Sequence, residues 1–184
     1  MSNEPDTKTD SSLPREGSVL YTWIKGDVGK RKRSLWRWSS VNKFLVVPLY
    51  RVGLLPLLGF GRLFLLLYTL GRRSGKQRIT PLEYRRKDDD IYIVSGRGRK
   101  ADWFRNLKAG PDNISVRVGF TNFIPKITII NDNEKERFLT WYVSNHPRAA
   151  NLLFGWDPYN DTIKNTDFSE IANLIEIIRL QLEI

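Results

Sequence analysis

The chain has 184 residues, of which 41% are hydrophobic and 12% aromatic, so it is long enough to bury one core of its own. Its formal net charge is +10, with an isoelectric point near 9.9, and a charge of this size favours an anionic partner. The chain has no cysteine, which excludes disulfides, thiolate chemistry and cysteine-based zinc sites. Zinc normally takes several nitrogen or sulfur ligands and His146 is the single histidine, so no metal site is predicted.

The first 62 residues divide into two predicted segments. Residues 1–17 are polar and rich in Pro, Ser, Asp and Glu, which is typical of a disordered tail. They contain no apolar stretch of the kind found in a signal peptide, so a cytoplasmic location is expected. Residues 18–62 are predicted as a helical arm that mixes aromatic side chains with a large excess of basic over acidic residues.

Two interpretations of this arm stay open. Its tryptophans Trp23, Trp36 and Trp38 either pack on the folded domain, or bind at a membrane interface together with the basic side chains. Packing is slightly favoured because Gly26 and Gly29 interrupt a long amphipathic helix. The apolar stretch that follows is shorter than the ~20 residues that span a bilayer. The membrane alternative is therefore a peripheral contact at the inner face of the cell membrane.

Residues 63–184 are predicted as a third region, a β-rich domain that follows a helix ending near Gly53. Strands are expected over Leu63–Leu70, Arg78–Tyr84, Ile91–Ser95, Ile114–Gly119 and Phe123–Ile130. Helices are expected over Asp102–Ala109, from Asn131 towards His146, and over Ile171–Leu182. Asp102 is the expected N-cap of the first of these helices. The segment Asn151–Pro158 is expected to be irregular. The connections are too short for βαβ crossovers. The predicted fold class is therefore α+β, and a small barrel is favoured over a doubly wound sheet.

The turn after the first strand carries four cations, Arg72, Arg73, Lys76 and Arg78. Arginine forks and turn N–H groups bind phosphate or carboxylate well, so an anion grip is one interpretation of this turn. The other is a solvated basic hairpin turn. A Walker A loop is excluded, because no lysine stands before Ser or Thr at the start of a helix.

A second basic loop, Ser95-Gly96-Arg97-Gly98-Arg99-Lys100, follows a strand and precedes a helix. Its glycines permit close approach of a ligand to the backbone, and the start of a helix favours anions. The alternative is an ordinary glycine loop. Because the two basic loops flank one hairpin, each strengthens the binding interpretation of the other.

Three motifs in this region resemble those of the deazaflavin-dependent nitroreductase family: the turn Gly71–Gly75, the segment Thr80-Pro81-Leu82, and the helix Asp102–Ala109 followed by Pro111. The resemblance covers about residues 42–133. It implies a split β-barrel similar to the flavin-binding barrels, and binding of coenzyme F420, which has a flat deazaflavin ring, a phosphate and an oligoglutamate tail. It also implies an oxidoreductase that transfers hydride from reduced deazaflavin to a small organic acceptor of quinone, nitro-aromatic or enone type.

The resemblance further implies which residues hold the cofactor. Those expected at the phosphate and the tail are Arg72, Arg73, Ser74, Gly75 and Arg78. Thr80 and Pro81 would lie along the ring, Ser95, Gly96 and Arg97 would meet the ring edge or the phosphate, and Trp103 and Asn106 would close the pocket. Where the nitroimidazole-activating members carry a tyrosine cluster, this chain has His146, Ala149 and Leu152. That departure leaves the acceptor open and makes His146 a hypothetical proton donor.

Other cofactors and another class of function stay open. An FMN-using reductase would share the barrel, and a haem protein would depend on His146 as its axial ligand. A non-enzymatic basic barrel would instead bind single-stranded nucleic acid by stacking bases on Trp and Tyr. The leading hypothesis involves no nucleic acid, and the oligomeric state is not predicted.

Overall fold

The computed structural model of the protein describes residues 13–27 and 45–181, together with residues 29, 33 and 41. The helices are α1 Val19–Ile24, α2 Val47–Arg51, α3 Leu54–Leu57, α4 Asp102–Ala109, α5 Asp132–Asn145, α6 Pro147–Phe154 and α7 Ser169–Leu174. The strands are β1 Phe64–Leu70, β2 Gln77–Lys87, β3 Asp90–Ser95, β4 Ser115–Val118, β5 Thr121–Phe123, β6 Lys126–Ile129 and β7 Glu176–Gln181.

The seven strands form one antiparallel sheet in the order β5-β4-β1-β2-β3-β7-β6. Strands β5 and β6 lie at opposite edges, yet only Ile124 and Pro125 separate Phe123 from Lys126. Since consecutive Cα atoms are about 3.8 Å apart, these two residues lie within about 11 Å of each other. The sheet therefore curls almost into a closed barrel, and the long strand β2 joins its two halves by pairing first with β1 and then with β3. The predicted α+β class and split-barrel architecture are confirmed.

Strand register divides the side chains between the barrel interior and the outer face. Successive residues of a strand point to opposite faces, so Leu65 and Leu67 of β1 point inward, opposite inward residues of β2 and β4. Tyr84, Ile93 and Ile178 complete this interior from the other half of the sheet. Two buried side chains of α4 join the same core. Helix α4 is thereby packed directly on the barrel.

A second core lies on the outer face of β3 and β7. Tyr92 and Ile177 point out of the barrel and pack with Leu20 of α1, Phe138 of α5 and Ile171 of α7. Tyr92 stacks on Phe138 with ring centroids 4.9 Å apart. The helices of the C-terminal third thus cover one half of the barrel.

The prediction of a last helix over Ile171–Leu182 is wrong in its second half. Helix α7 ends at Leu174, and the chain then forms β7, which lies inside the sheet between β3 and β6. Ile177 and Ile178 are both fully buried although they face opposite cores. A strand buried on both faces has no apolar–polar alternation, so its sequence pattern does not distinguish it from a helix. Leu182, where the predicted helix ended, lies outside the described residues.

Three further boundaries differ from the prediction. The expected strand Phe123–Ile130 is divided at Ile124 and Pro125 into two strands at opposite edges of the sheet. Helix α6 runs to Phe154, so the first residues of the segment expected to be irregular are helical. Asp102 is the first residue of α4, and Ala101 occupies the N-cap position.

Part of the N-terminal region, within residues 13–24, packs on the outer core. Leu13, which the sequence places in a disordered tail, is buried, and Arg15 forms an ion pair of 2.7 Å with Asp161. Trp23 packs on the outer core. Residues 1–12, Trp36 and Trp38 lie outside the described residues.

The second half of the predicted arm packs in a different place from α1. In α2, the Tyr50 hydroxyl donates to the Phe64 carbonyl and accepts from the Gly119 N–H, both at 2.8 Å. This fixes α2 to the β1–β4 half of the barrel, whereas α1 contacts α6 on the other half.

Candidate functional site: a cationic groove on helix α4

The basic turn between β1 and β2 is bonded to helix α4 through Arg72. The backbone N–H of Arg72 donates to Asn106 Oδ1 at 3.2 Å, and Nη1 donates to the same oxygen at 3.1 Å. Nη2 forms an ion pair of 3.0 Å with Asp102 Oδ1. Asn106 is 8% exposed, so its amide is a buried anchor for the arginine. The turn predicted to grip an anion is thus held in register with the helix.

Arg72 lines a groove of about 360 Å³ with three other cations, Arg99, Arg105 and Lys108. The rest of the lining is apolar and comes from Phe104 and Ala109. Arg105 Nε donates to the Arg99 carbonyl at 3.0 Å, which links the helix to the loop before it. Four cations around one cleft favour an anionic group with several oxygens, such as phosphate or carboxylate.

Sequence reasoning missed Arg99, Arg105 and Lys108. Arg105 and Lys108 are three residues apart on α4, and this spacing places two side chains on one helix face. That spacing is a signal visible in the sequence. Arg99 carried no such signal beyond its place in a basic loop.

The other members of the predicted phosphate site lie on the exposed turn beside Arg72. Arg73, Ser74, Gly75 and Arg78 are all exposed. Arg78 Nη2 donates weakly to Ser74 Oγ at 3.5 Å. Gly75 has a φ of +63° and open space around it, so glycine is needed there for the turn itself.

Thr80 and Pro81 point to opposite faces of β2. Thr80 pairs with Leu67, whose side chain belongs to the barrel interior, and Pro81 pairs with Leu66 on the outer face. Residues directly opposite in an antiparallel pair share a face. One flat ring therefore does not meet both side chains on the same surface.

The loop Ser95–Arg97 is largely covered. Ser95 is buried, and its hydroxyl donates to the Gly98 carbonyl at 2.8 Å. A Cβ on Gly96 would lie 2.8 Å from Leu20 and 3.0 Å from Trp23 of α1. Arg97 is partly buried. Helix α1 therefore covers the glycine that was predicted to approach a ligand.

Trp103 is half-buried against the barrel core, beside the groove residue Phe104. The two rings meet edge to face, with centroids 6.1 Å apart. Trp103 and Asn106 thus both belong to α4, one packed on the core and the other bonded to Arg72.

His146 joins α5 to α6 and packs on the outer core. Its ring lies 5.5 Å from Trp141 and 5.4 Å from Tyr142, centroid to centroid. Burial, and secondarily the nearby charge of Arg85, lower the pKa of His146 below its ordinary value. A lowered pKa keeps the imidazole neutral at pH 7, which suits a proton donor poorly. His146 is not among the residues that line the groove.

A smaller cavity of about 200 Å³ lies beside the end of β1. Its polar lining includes Thr69, Gln77, Asp112, Asn113 and Ser115. The buried Thr69 hydroxyl has no hydrogen-bond partner within the part of the chain that the structure describes. Hydroxyl and amide groups beside one carboxylate and no basic side chain suit an anion poorly.

The structure is a curled antiparallel barrel with a cationic groove, which suits an anionic organic ligand. Comparison with known proteins is more specific. The model of the F420H(2)-dependent quinone reductase family matches residues 57–153, and the chain belongs to that family. This confirms the resemblance to deazaflavin-dependent proteins.

Similar proteins carry names of the same kind. Proteins named F420H(2)-dependent quinone reductase from two strains of Mycobacterium tuberculosis, H37Rv and CDC 1551, are each 32% identical over 88 residues. The match covers 46% of this chain and 58% of each relative. A solved F420-H2 dependent reductase is 23% identical, with a TM-score of 0.43 over 65% of this chain and 95% of that one. The haem storage protein HutZ from Vibrio cholerae is 13% identical, with a TM-score of 0.42 over 70% of this chain and 88% of HutZ.

Proposed function

We propose that the protein is an F420-dependent oxidoreductase that passes a hydride from reduced deazaflavin to a small organic acceptor of quinone type, with nitro-aromatics and enones as further candidates. The observation that carries this proposal is the groove on α4, where Arg72 is fixed by two bonds to Asn106. Family membership and the names of the relatives support it.

The groove residues fit the anionic part of the cofactor. Arg72, Arg99, Arg105 and Lys108 would bind the phosphate and the glutamate carboxylates through charge-assisted hydrogen bonds. Arg73 and Arg78 on the exposed turn would extend the same positive surface. Phe104 and Ala109 complete the groove lining with apolar groups. When bound, the deazaflavin supplies the hydride chemistry, and the protein binds and orients it.

The decisive experiment is a fluorescence titration of the protein with F420, with FMN in parallel. Saturable binding of F420 and not of FMN is expected. The double substitution Arg72→Ala and Arg78→Ala should weaken F420 binding by more than about tenfold, because two charge-assisted contacts are lost. Arg148→Ala removes an exposed arginine outside the groove and is the matched control.

Each other outcome contradicts a part of the proposal. Binding of FMN instead of F420 would contradict the proposed cofactor but not the barrel fold. Salt-dependent binding of a single-stranded oligonucleotide, with no binding of either flavin, would contradict the proposed enzyme function and support nucleic-acid binding. Equal loss of affinity in Arg148→Ala and in the double variant would remove the basic turn from the site.

A specific surface supports the peripheral membrane contact. Val52, Leu57 and Leu58, in and after helices α2 and α3, are 77%, 75% and 65% exposed, and Arg51 and Arg62 are exposed close to them in the chain. An apolar patch with cations around it suits an anionic bilayer surface. In the described residues, no helix is both long and apolar enough to cross a membrane.

Sedimentation with vesicles tests this contact. Leu57→Asp together with Leu58→Asp should reduce association with vesicles that contain phosphatidylglycerol, because the charges prevent insertion of the patch. Leu152→Asp places the same charge on another exposed leucine, in α6, and should change association little. Equal association of both variants and the unchanged protein would exclude the patch from membrane contact.

A further inference from the structure

A buried carboxylate connects the cationic groove to the outer helical layer. Glu176 is the first residue of β7 and is only 5% exposed. Its Oε1 accepts a hydrogen bond of 2.6 Å from Arg99 Nε, and its Oε2 forms an ion pair of 3.1 Å with Lys135 Nζ. One carboxylate thus joins a groove arginine to a lysine of α5.

Lys135 holds the other side of this carboxylate. It is 3% exposed, and its ammonium group has three partners: Asp132 Oδ1 at 3.0 Å, the Ala172 carbonyl at 3.1 Å and Glu176. An ammonium group has three hydrogens, so every donor of Lys135 is used. A buried charge is stable only when it is paired in this way. The Glu176 carboxylate is therefore held in one position.

Arg99 is fixed at one end and exposed at the other. Its side chain is 82% exposed, and only Nε is bonded to Glu176. Neither η nitrogen donates a hydrogen bond to any residue that the structure describes. The Arg99 backbone is also fixed, because its carbonyl accepts from Arg105 and the preceding Gly98 carbonyl accepts from Ser95. A long exposed side chain held in this way is preorganised to donate its remaining N–H groups.

We propose that Glu176, anchored by Lys135, is a positioning residue that fixes Arg99 on the wall of the groove, where the two η nitrogens bind a phosphate or carboxylate of the anionic ligand. The inference rests on the proposed function and extends it. Arg72 is anchored to α4, whereas Arg99 is anchored to the outer layer. The two arginines then hold the anionic tail from separately fixed positions.

A double-mutant cycle in the full chain tests the coupling. The variants are Arg99→Ala, Glu176→Gln and the two combined. Each variant is titrated by fluorescence with two ligands. One is F420, and the other is a deazaflavin that lacks the phosphate and the glutamates. Each single variant should weaken F420 binding by about three- to tenfold, since one charge-assisted contact is lost or misplaced. Binding of the tail-less deazaflavin should not change. The combined variant should bind F420 no more weakly than Arg99→Ala, because Glu176 acts through Arg99.

A purely structural role of Glu176 would give a different pattern. Loss of affinity for both ligands alike, or losses that multiply in the combined variant, would overturn the inference. If Glu176→Gln does not fold, the paired substitution Lys135→Met and Glu176→Leu removes both buried charges and releases Arg99, and the same selective loss is expected. F420 binding that depends on Arg72 and Arg78 but not on Glu176 would overturn only this inference. Failure of the unchanged protein to bind F420 would overturn both this inference and the proposed function.

Discussion

Arg72 and Asn106 meet at a single oxygen atom: the backbone N–H and Nη1 of Arg72 both donate to Oδ1 of Asn106. These bonds connect residues that are 34 positions apart and lock the β1–β2 turn to helix α4. Because the amide is buried, it fixes both the backbone and the guanidinium of the arginine. The site therefore depends on a neutral side chain as much as on the cations around it.

Replacement of that amide should weaken both the fold and the groove. Asn106→Leu removes the acceptor of two hydrogen bonds, so the free energy of unfolding should fall by about 1–3 kcal/mol in a urea titration. F420 binding should weaken several-fold, because Arg72 is no longer held. Asp102→Ala is the control, since Asp102 is 74% exposed and an exposed ion pair contributes at most about 1 kcal/mol. A larger effect of Asp102→Ala than of Asn106→Leu would contradict this assignment.

Replacement by alanine should destabilise the protein by different amounts at two glycines that have left-handed backbone conformations. Gly98 has a φ of +52°, and a Cβ there would lie 2.5 Å from the Leu174 carbonyl oxygen. Gly75 has a φ of +63° and open space around it. Gly75→Ala should cost about 1–2 kcal/mol from backbone strain alone, and Gly98→Ala about 2–4 kcal/mol because a steric clash is added. Equal unfolding midpoints for the two variants would show that the loop before α4 does not pack against the end of α7.

Adjacent isoleucines of β7 should both be sensitive to truncation. Ile177 packs in the outer core and Ile178 in the barrel interior, and both are fully buried. Ile177→Ala and Ile178→Ala should each lower the free energy of unfolding by about 2–5 kcal/mol. Val94→Ala, at a partly exposed position of the neighbouring strand, is the control and should cost less than either. A small cost for one of the two isoleucines would contradict a strand with two buried faces.

The partly buried histidine His146 should make stability depend on pH. The folded state lowers the pKa of His146, chiefly by burial and then by the charge of Arg85, whereas the unfolded chain keeps an ordinary value of about 6.5. Below that pH the unfolded state binds more protons, so the free energy of unfolding should fall as the pH decreases towards the folded pKa. His146→Gln should flatten this dependence in urea titrations at pH 5 and pH 7.5. An unchanged slope would show that His146 does not contribute to it.

Local features of the sequence predicted much of the barrel and part of the site. Strands β1 to β3 and helix α4 were predicted close to their observed positions, because turn residues on both sides mark where each ends. The basic turn was proposed as an anion grip from its own residues, and Arg72 and Asn106, which the structure bonds to each other, were both among the predicted site residues. Whether the predicted residues bind F420 stays a prediction.

The sequence by itself determined the α+β class, the basic turn and the helix that accompanies it, because short-range periodicity, turn residues and charge act within a few positions. Only the tertiary structure decided that the C-terminal apolar run is a strand, since burial on both faces removes the periodicity that would mark it. It also decided that α1 covers Gly96 and that Glu176 holds Arg99 from 77 residues away. Contacts of that range depend on how the sheet curls, which no local pattern in the chain specifies.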